Sequence, residues 1–599
     1  MKKRANEPAA ALPMSAAELA DRGWEGIDVL LVTGDAYVDH PAFGAALIGR
    51  VLEAQGLRVG VIAQPDWRAV ESLQLMGRPR LFCGVTAGNL DSMVANYTAA
   101  RHRRGRDDYS AGGTPGLRPN HAAVVYAQLA RRAFPALPVA LGGIEASLRR
   151  VAHYDYWEDR LRPSILLDAK ADILVYGMGE RAVREIVRRL LAATAAGTPA
   201  DLAGIRGTAR LLGARAAAAL PRTPADAGGE TIVLPSWERL QADRTLLLEA
   251  TRLTEAEQSP FCGRRLVQFC GDRAIAVEPP AVPLDARELD ALAELPFTRR
   301  PHPRYREAVP AFTMIRDSVT VVRGCAGGCS FCGLGLHQGK FLSSRSAESV
   351  LREVDRIAHG PGFRGTVTDL GGPTANLYGC VNGLAPACRS CRRPSCLFPA
   401  HCRHFAIREE PATALLRGAA RVPGVKHVFV QSGIRMDVAL RTPGYLRELV
   451  RHHVSGHLKV APEHLHPEVL RRMRKPPGVF ERFQEEFRRE SAAAGKEQYL
   501  VPYFIASFPG CTEAQMGAVE DLLRASRWRL QQVQDFIPLP MTPAAAMYAT
   551  GRDYDTGKPI PVARGAGERH RQRRALQPAA SRRTTPPPSR PGSPPRPRP

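Results

Sequence analysis

The chain has 599 residues, 44% hydrophobic and 6% aromatic, the balance of a soluble globular protein and too long for one ordinary domain. It contains no apolar run of 18 residues, and its basic start, Met1-Lys-Lys-Arg, lacks the apolar core of a secretory signal, so no membrane span is expected and the expected compartment is the cytoplasm, where reduced thiols bind metals. The net charge of +24 points first to nucleic acid, but residues 563–599 hold ten arginines against the single acid Glu568, and coding bias explains the remaining Arg-over-Lys excess more simply.

Residues 1–24 read as disordered or a short helix. From 25 to 195 strands and helices alternate. Residues 28–33, 58–62, 81–85, 138–143 and 172–176 are β-former runs, and 42–55, 122–134 and 181–193 carry helical patterning. This predicts an α/β fold whose first domain is a parallel, doubly wound, flavodoxin-like sheet. Glycines at Gly34, Gly84, Gly142, Gly143, Gly177 and Gly179 mark strand ends that a ligand could approach. The stretch 145–168 is dense in polar and aromatic groups, among them Glu145, Arg149, His153, Tyr154, Tyr156 and Trp157. It reads equally as the lining of a site or as an inter-domain seam. Residues 196–310 begin Ala/Gly-rich and are expected to link and bridge two domains, with a helix over 238–258 and short strands at 267–269 and 274–277.

The second domain runs over 311–550. Its β-former run 319–322 leads into Arg323-Gly-Cys-Ala-Gly-Gly-Cys-Ser-Phe-Cys-Gly333. Cys325, Cys329 and Cys332 stand at C-x3-C-x2-C among Gly324, Gly327, Gly328 and Gly333. Three thiolates this close suit a soft metal centre, and glycines let the backbone wrap tightly around it. A structural zinc knot is one reading, although zinc normally takes a fourth ligand and paired half-sites. An iron–sulfur cluster held by three cysteines leaves one iron open.

The loop resembles the cluster loop of the radical S-adenosylmethionine (radical SAM) superfamily, including the aromatic Phe331 just before the third cysteine. The resemblance implies a [4Fe–4S] cluster on Cys325, Cys329 and Cys332, with S-adenosylmethionine on the open iron. It also implies reductive cleavage to a 5′-deoxyadenosyl radical and an electron donor of flavodoxin or ferredoxin type. The implied fold is a partial (β/α)6 barrel. Six strand–helix units follow, with strands at 318–323, 366–369, 426–430, 456–460, 502–506 and 533–537, and helices including 346–359, 445–452, 479–494 and 513–524. Chemistry in such barrels sits at the carboxyl ends of the strands. There the resemblance assigns cofactor contacts to Phe331, Gly371, Gly372, Ser432, Arg435 and Glu463. Pro373 stands where the superfamily has a glutamate, so that turn keeps only its backbone role. No residue is assigned to catalysis on the substrate.

Gly371-Gly-Pro-Thr-Ala-Asn-Leu-Tyr378, Lys459-Val-Ala-Pro-Glu-His464 and Tyr154-Asp-Tyr-Trp157 resemble the YgiQ family within that superfamily, and the match spans roughly residues 25–555. It fixes fold and cofactors and leaves the substrate open. The first domain then resembles the cobalamin-binding domain that precedes many radical SAM cores. The lower-axial motif D-x-H-x-x-G is not met, because Asp39 and His40 are adjacent and Gly44 is one residue too far. Cobalamin is therefore disfavoured, although binding without a histidine stays open.

An insert over 380–404 carries Cys380, Cys388, Cys391, Cys396 and Cys402, with His401 and His404 nearby. Five cysteines this close suit a second centre, an auxiliary iron–sulfur cluster or zinc. The Pro/Arg-rich residues 551–599 are expected to be disordered; a solubilising tail is the simpler reading, and contact with RNA phosphates the weaker one. Two functions follow. One is a radical SAM enzyme that abstracts hydrogen from an unknown substrate. Its first domain would face the barrel mouth and enclose a chamber lined in part by 145–168. The alternative is a non-catalytic metal-binding protein that associates with RNA.

Overall fold

A computed structural model describes residues 10–223, 229–526, 528, 530 and 533–577. Strand β1 (Val29–Thr33) is buried at every position, as a continuous apolar run must be when both faces of a parallel sheet are covered. It is followed by α1 (Gly44–Glu53), β2 (Val59–Ala63), β3 (Phe82–Thr86), α2 (Ala122–Ala133), β4 (Val139–Gly142), β5 (Ile173–Val175) and α3 (Glu180–Ala196). The five strands pair in parallel in the order β2-β1-β3-β4-β5, the flavodoxin-like order, with its switch point between β1 and β3.

Residues 196–310 do more than bridge. They supply β6 (Thr208–Leu212), β7 (Thr231–Val233), β8 (Arg265–Cys270) and β9 (Arg273–Val277), which extend the same sheet to nine strands in the order β5-β6-β9-β8-β7. The Ala-rich composition around β6 hides a strand that exists because β5 and β9 flank it on both sides. The helix expected over 238–258 is two helices, Trp237–Ala242 and Leu246–Ala256. Asp243 separates them, its Oδ1 accepting from Thr245 N and Oγ1 at 2.9 and 2.7 Å.

The barrel strands are β10 (Ser318–Thr320), β11 (Thr366–Val367), β12 (Asp369–Gly371), β13 (His427–Val428), β14 (His457–Glu463), β15 (Tyr499–Ala506) and β16 (Gln534–Asp535). Parallel pairing runs β10 with β12, β11 with β13, Ile434 with Val460, β14 with β15 and β15 with β16. Among the described residues β16 and β10 do not pair, so the barrel is open. Helix α4 (Gly333–Gln338) follows the cysteine loop, and α5 (Ala347–Ala358) packs behind β10, capped by Ser346.

The N-terminal segment takes the short-helix reading, and the C-terminal segment departs from expectation. Residues 10–24 form part of the fold: they contain a helix, Ala16–Asp21, and bury Leu12 and Met14 against the sheet. A Cβ on Gly49 of α1 would lie 2.4 Å from Leu12 Cδ1. Residues 551–577 carry helix α6 (Ala566–Arg574). Its Gln572 accepts from Ser507 N and donates to Cys511 O, both at 2.9 Å, and Arg569 Nη2 donates to Phe536 O at 2.8 Å. Its Arg-rich composition concealed this because long basic side chains bury their stems. Residues 1–9 and 578–599 lie outside the described residues.

Tyr154 and Tyr156 leave the first domain and join the barrel core, their rings 5.9 and 5.8 Å from that of Tyr548. The stretch 145–168 is thus an inter-domain seam. No helix among the described residues is long and apolar enough to cross a membrane.

Candidate active site

Strand β10 and the extended pair Val322–Arg323 deliver the chain to the cysteine loop, where Gly324 turns with φ 83°. A Cβ there would lie 2.2 Å from Phe341 O. On Gly327 it would meet Arg435 Nη1 at 2.2 Å, and on Gly328 it would meet Pro394 O at 2.6 Å. Three glycines are therefore demanded by three different neighbours. The insert braces the loop from outside: Ser395 Oγ donates to Gly327 O at 2.8 Å and Cys396 N to Ala326 O at 3.0 Å.

Cys325, Cys329 and Cys332 are half-buried free thiols. Burial pushes the Cys332 thiol up to about 12, and Cys329 adds to the shift. Among the described residues only His121, Asp155 and Glu158 bring three ligand atoms within 4.8 Å of one another, so the three sulfurs are too widely spread to share one small ion. The His121 set is itself occupied by Arg162, whose Nη1 lies 2.8 Å from Glu158 Oε1. An all-thiolate donor set, its spread and a loop with no room for Cβ atoms fit a polynuclear iron–sulfur cluster.

Around these sulfurs stand side chains from the next strand ends. Arg435 Nη1 is 3.9 Å from Cys329 Sγ, while Nε and Nη2 donate to Asp437 at 2.9 and 2.6 Å. Burial opposes the guanidinium charge, but Asp437 and Cys329 outweigh it and hold Arg435 more firmly protonated than a free arginine. Thr374 Oγ1 lies 3.6 Å from Cys325 Sγ. Asp369 Oδ1 accepts from Gln431 N and Ser432 N at 2.8 and 2.9 Å, and Oδ2 accepts from Ser432 Oγ. A Cβ on Gly371 would come 2.4 Å from Ser432 Oγ, and on Gly372 2.5 Å from Val322 O. Glu463 sits at a register shift in β14 with φ 68°, a bulge that re-aims its side chain. Burial pushes its carboxyl up against the opposing pull of Lys475, whose Nζ is 3.8 Å away. Phe331 packs edge-on against Phe508 at 6.3 Å, toward the barrel core.

The strand-end faces of the two domains enclose a cavity of about 590 Å³. The first domain contributes Asp35, Thr86 and Gly143, and the barrel contributes Arg323, Gly371 and Ser432. Glu180, 1% exposed, accepts from Arg323 Nη1 at 2.6 Å across the seam, and His337 Nδ1 lies 3.0 Å from Ser147 Oγ. The expected lining by 145–168 is absent; the wall stops at Ile144, because the aromatic groups beyond it are spent on the seam. His40 is not a lining residue either. Its Nδ1 accepts from Ala42 N at 3.1 Å, and burial, with Arg299 nearby, holds it neutral.

In the insert, Cys380, Cys388 and Cys396 are buried and Cys391 and Cys402 half-buried. Cys391 Sγ accepts from Lys340 Nζ at 3.4 Å and Cys396 Sγ from Asn382 Nδ2 at 3.5 Å. Burial pushes the Cys396 thiol up, with Cys402 and Cys391 close enough to add to it. No three of the five sulfurs lie within 4.8 Å of one another among the described residues. Thr374, Asp369, Asp437 and Lys475 were missed in the sequence. Only Asp437 left a signal, as an acid two residues beyond Arg435.

The family described as Radical SAM N-terminal matches residues 11–318, and the Radical SAM superfamily matches residues 319–523. A UPF0313 protein of Geobacter sulfurreducens is 51% identical over 94% of this chain and 92% of its own. The UPF0313 protein YgiQ of Escherichia coli is 43% identical over 91% of this chain and 80% of its own. Among solved structures, the radical S-adenosylmethionine methyltransferase TsrM from Kitasatospora setae, with cobalamin and a [4Fe–4S] cluster bound, aligns with 86% of this chain and 73% of its own at 18% identity and a TM-score of 0.47. The cobalamin-dependent radical enzyme OxsB aligns with 91% of this chain and 58% of its own at 11% identity and a TM-score of 0.45.

Proposed function

From the premise that the chain belongs to the UPF0313 family of the radical SAM superfamily, we propose that Cys325, Cys329 and Cys332 hold its [4Fe–4S] cluster and that a substrate bound in the inter-domain chamber loses a hydrogen atom. The observation that carries this reading is the glycine-bound cysteine loop beside a chamber walled by the strand ends of both domains. Held by Cys325, Cys329 and Cys332, such a cluster would supply the one electron needed for reductive cleavage of the S-adenosylmethionine C–S bond to methionine and a 5′-deoxyadenosyl radical. The chain's residues do the rest. Gly371 and Gly372 let the strand end pack closely on Ser432 and Val322, and Ser432, fixed by Asp369, offers a hydroxyl at the chamber wall. Arg435 and Glu463 flank the thiolates with opposite charge preferences. The Glu180–Arg323 and Ser147–His337 contacts tie the first domain over the barrel mouth.

The insert cysteines hold a second centre in this reading, with an auxiliary iron–sulfur cluster favoured over zinc because no three of the sulfurs converge on one point. The RNA-associating alternative loses support, since residues 551–577 of the basic tail fold onto the barrel. Anaerobic reconstitution followed by chromatography for 5′-deoxyadenosine tests the proposal. A Cys325/Cys329/Cys332 triple alanine variant that still produced it would sink the idea.

A further inference from the structure

Helix α4 lies between the chamber and a smaller cleft beside the cysteine loop. Leu334, His337 and Gln338 face the chamber. Gly335 and Leu336 line a smaller cleft of about 50 Å³, which reaches Cys329 and Cys332 from the outside. The outer wall of that cleft is the insert, with Cys391, Arg392 and Arg393, together with Lys340. From Leu370 to Arg408 the chain holds five arginines and no aspartate or glutamate. Among the described residues, Arg389 makes no ion pair or side-chain hydrogen bond; Arg393 Nη2 reaches the Phe398 and Ala400 carbonyls, and Lys340 Nζ reaches Cys391 and the Arg393 carbonyl and lies 5.1 Å from the Phe341 ring, with no acid paired to either. The nearby acids are already matched: Glu255 lines the cleft and pairs with Arg474, and Glu257 pairs with Arg264 and Arg392. Beside this rim Leu384 and Phe261 are 79% and 40% exposed, and Phe261 stacks edge-on with Phe341 at 4.9 Å.

We propose that the insert face is the docking surface for an acidic one-electron carrier protein, which reduces the centre held by Cys325, Cys329 and Cys332 through this cleft, on the side of α4 away from the chamber. The inference rests on the radical SAM reading of those cysteines. One electron leaves the carrier, which is oxidised by one equivalent, and arrives at that centre; no group is transferred. An uncompensated positive rim steers an acidic partner and fixes its register. Exposed apolar side chains adjoining a charged rim suit a protein partner, which favours a carrier protein over a phosphodiester.

The test uses the anaerobically purified full chain with a reduced acidic ferredoxin as probe. Association is read by biolayer interferometry at low and high salt, alongside 5′-deoxyadenosine formation driven by ferredoxin or by dithionite. The Arg389→Glu/Arg393→Glu variant is expected to bind ferredoxin ~10-fold or more weakly and to lose most of the salt dependence, with dithionite-driven turnover unchanged. Arg188→Glu, at an exposed position of α3 that does not line the cleft, serves as control and is expected to bind as the parent does. Equal affinity in parent and double variant, an equal loss in the control, or tighter competition by a single-stranded RNA would each overturn the proposal. Absence of dithionite-driven cleavage in the parent would instead count against the radical SAM reading, and the binding readout would still decide the docking face.

Discussion

Arg435 bridges Cys329 and Asp437: one guanidinium nitrogen lies 3.9 Å from the sulfur while two others bind the carboxylate at 2.9 and 2.6 Å. The fork geometry fixes the charge beside the thiolate, which a flexible ammonium cannot do. Arg435→Lys is therefore expected to lower the rate of S-adenosylmethionine cleavage by ~10-fold or more with iron content preserved. Cleavage at the parental rate in anaerobic assays would remove Arg435 from the site.

Replacing Cys325, Cys329 and Cys332 together is expected to remove ~4 irons per chain and abolish cleavage. Metal retained by that variant belongs to the insert, and its identity separates iron from zinc. A variant with no residual metal rejects the second centre.

Gly371→Ala places a methyl group where Ser432 Oγ lies 2.4 Å away. The serine must move, and with it the Asp369 contact that orders the turn. The expected outcome is weakened binding of S-adenosylmethionine by isothermal titration. Ser432 Cβ and Asp369 Oδ1, 2.7 and 2.9 Å from the added methyl group, press on the same space, so the strain is not relieved by trimming the serine hydroxyl. Parental affinity in Gly371→Ala would remove this turn from the cosubstrate site.

Much of this was legible beforehand. Strands such as 28–33 could be read because the β-former run is unbroken and ends at Gly34. The cysteine loop was legible because thiols and glycines have few other reasons to alternate at that spacing. What escaped depended on long-range partners. β6 exists because two strands flank it, α6 because barrel groups satisfy Gln572, and Thr374 reaches Cys325 across 49 residues of sequence. The seam role of Tyr154 and Tyr156 was open for the same reason, since Tyr548 lies almost 400 positions downstream.

That seam makes its own prediction. Tyr548→Ala removes the ring on which Tyr154 and Tyr156 pack and should cost ~3–5 kcal/mol. In calorimetry the two domains should then unfold in separate transitions. A single transition at the parental temperature would count against coupling through this ring.

Buried histidines set an acid limit. Burial, and then His466, pulls His464 down to about 4, and His153 is also held well below its ordinary value. Between about 4 and the unfolded value of ~6.5 the unfolded chain binds protons that the native state refuses, so each site removes stability as pH falls through that window, by up to ~1.4 kcal/mol per pH unit. Glu463 and Asp35, both raised by burial, act in the opposite sense. Urea midpoints of parent and His464→Gln isolate the histidine: the variant should lose less stability from pH 7 to pH 5, and parallel curves would refute the assignment.

Gln572 holds the backbone of Ser507 and Cys511, at the end of β15, from a position 65 residues further along the chain. On the ribosome the first domain can complete its sheet while the barrel is still being made. The barrel's fifth strand end is not clamped until residue 572 has emerged. A chain stalled or truncated before Gln572 is therefore expected to carry a folded first domain beside an unclamped barrel strand.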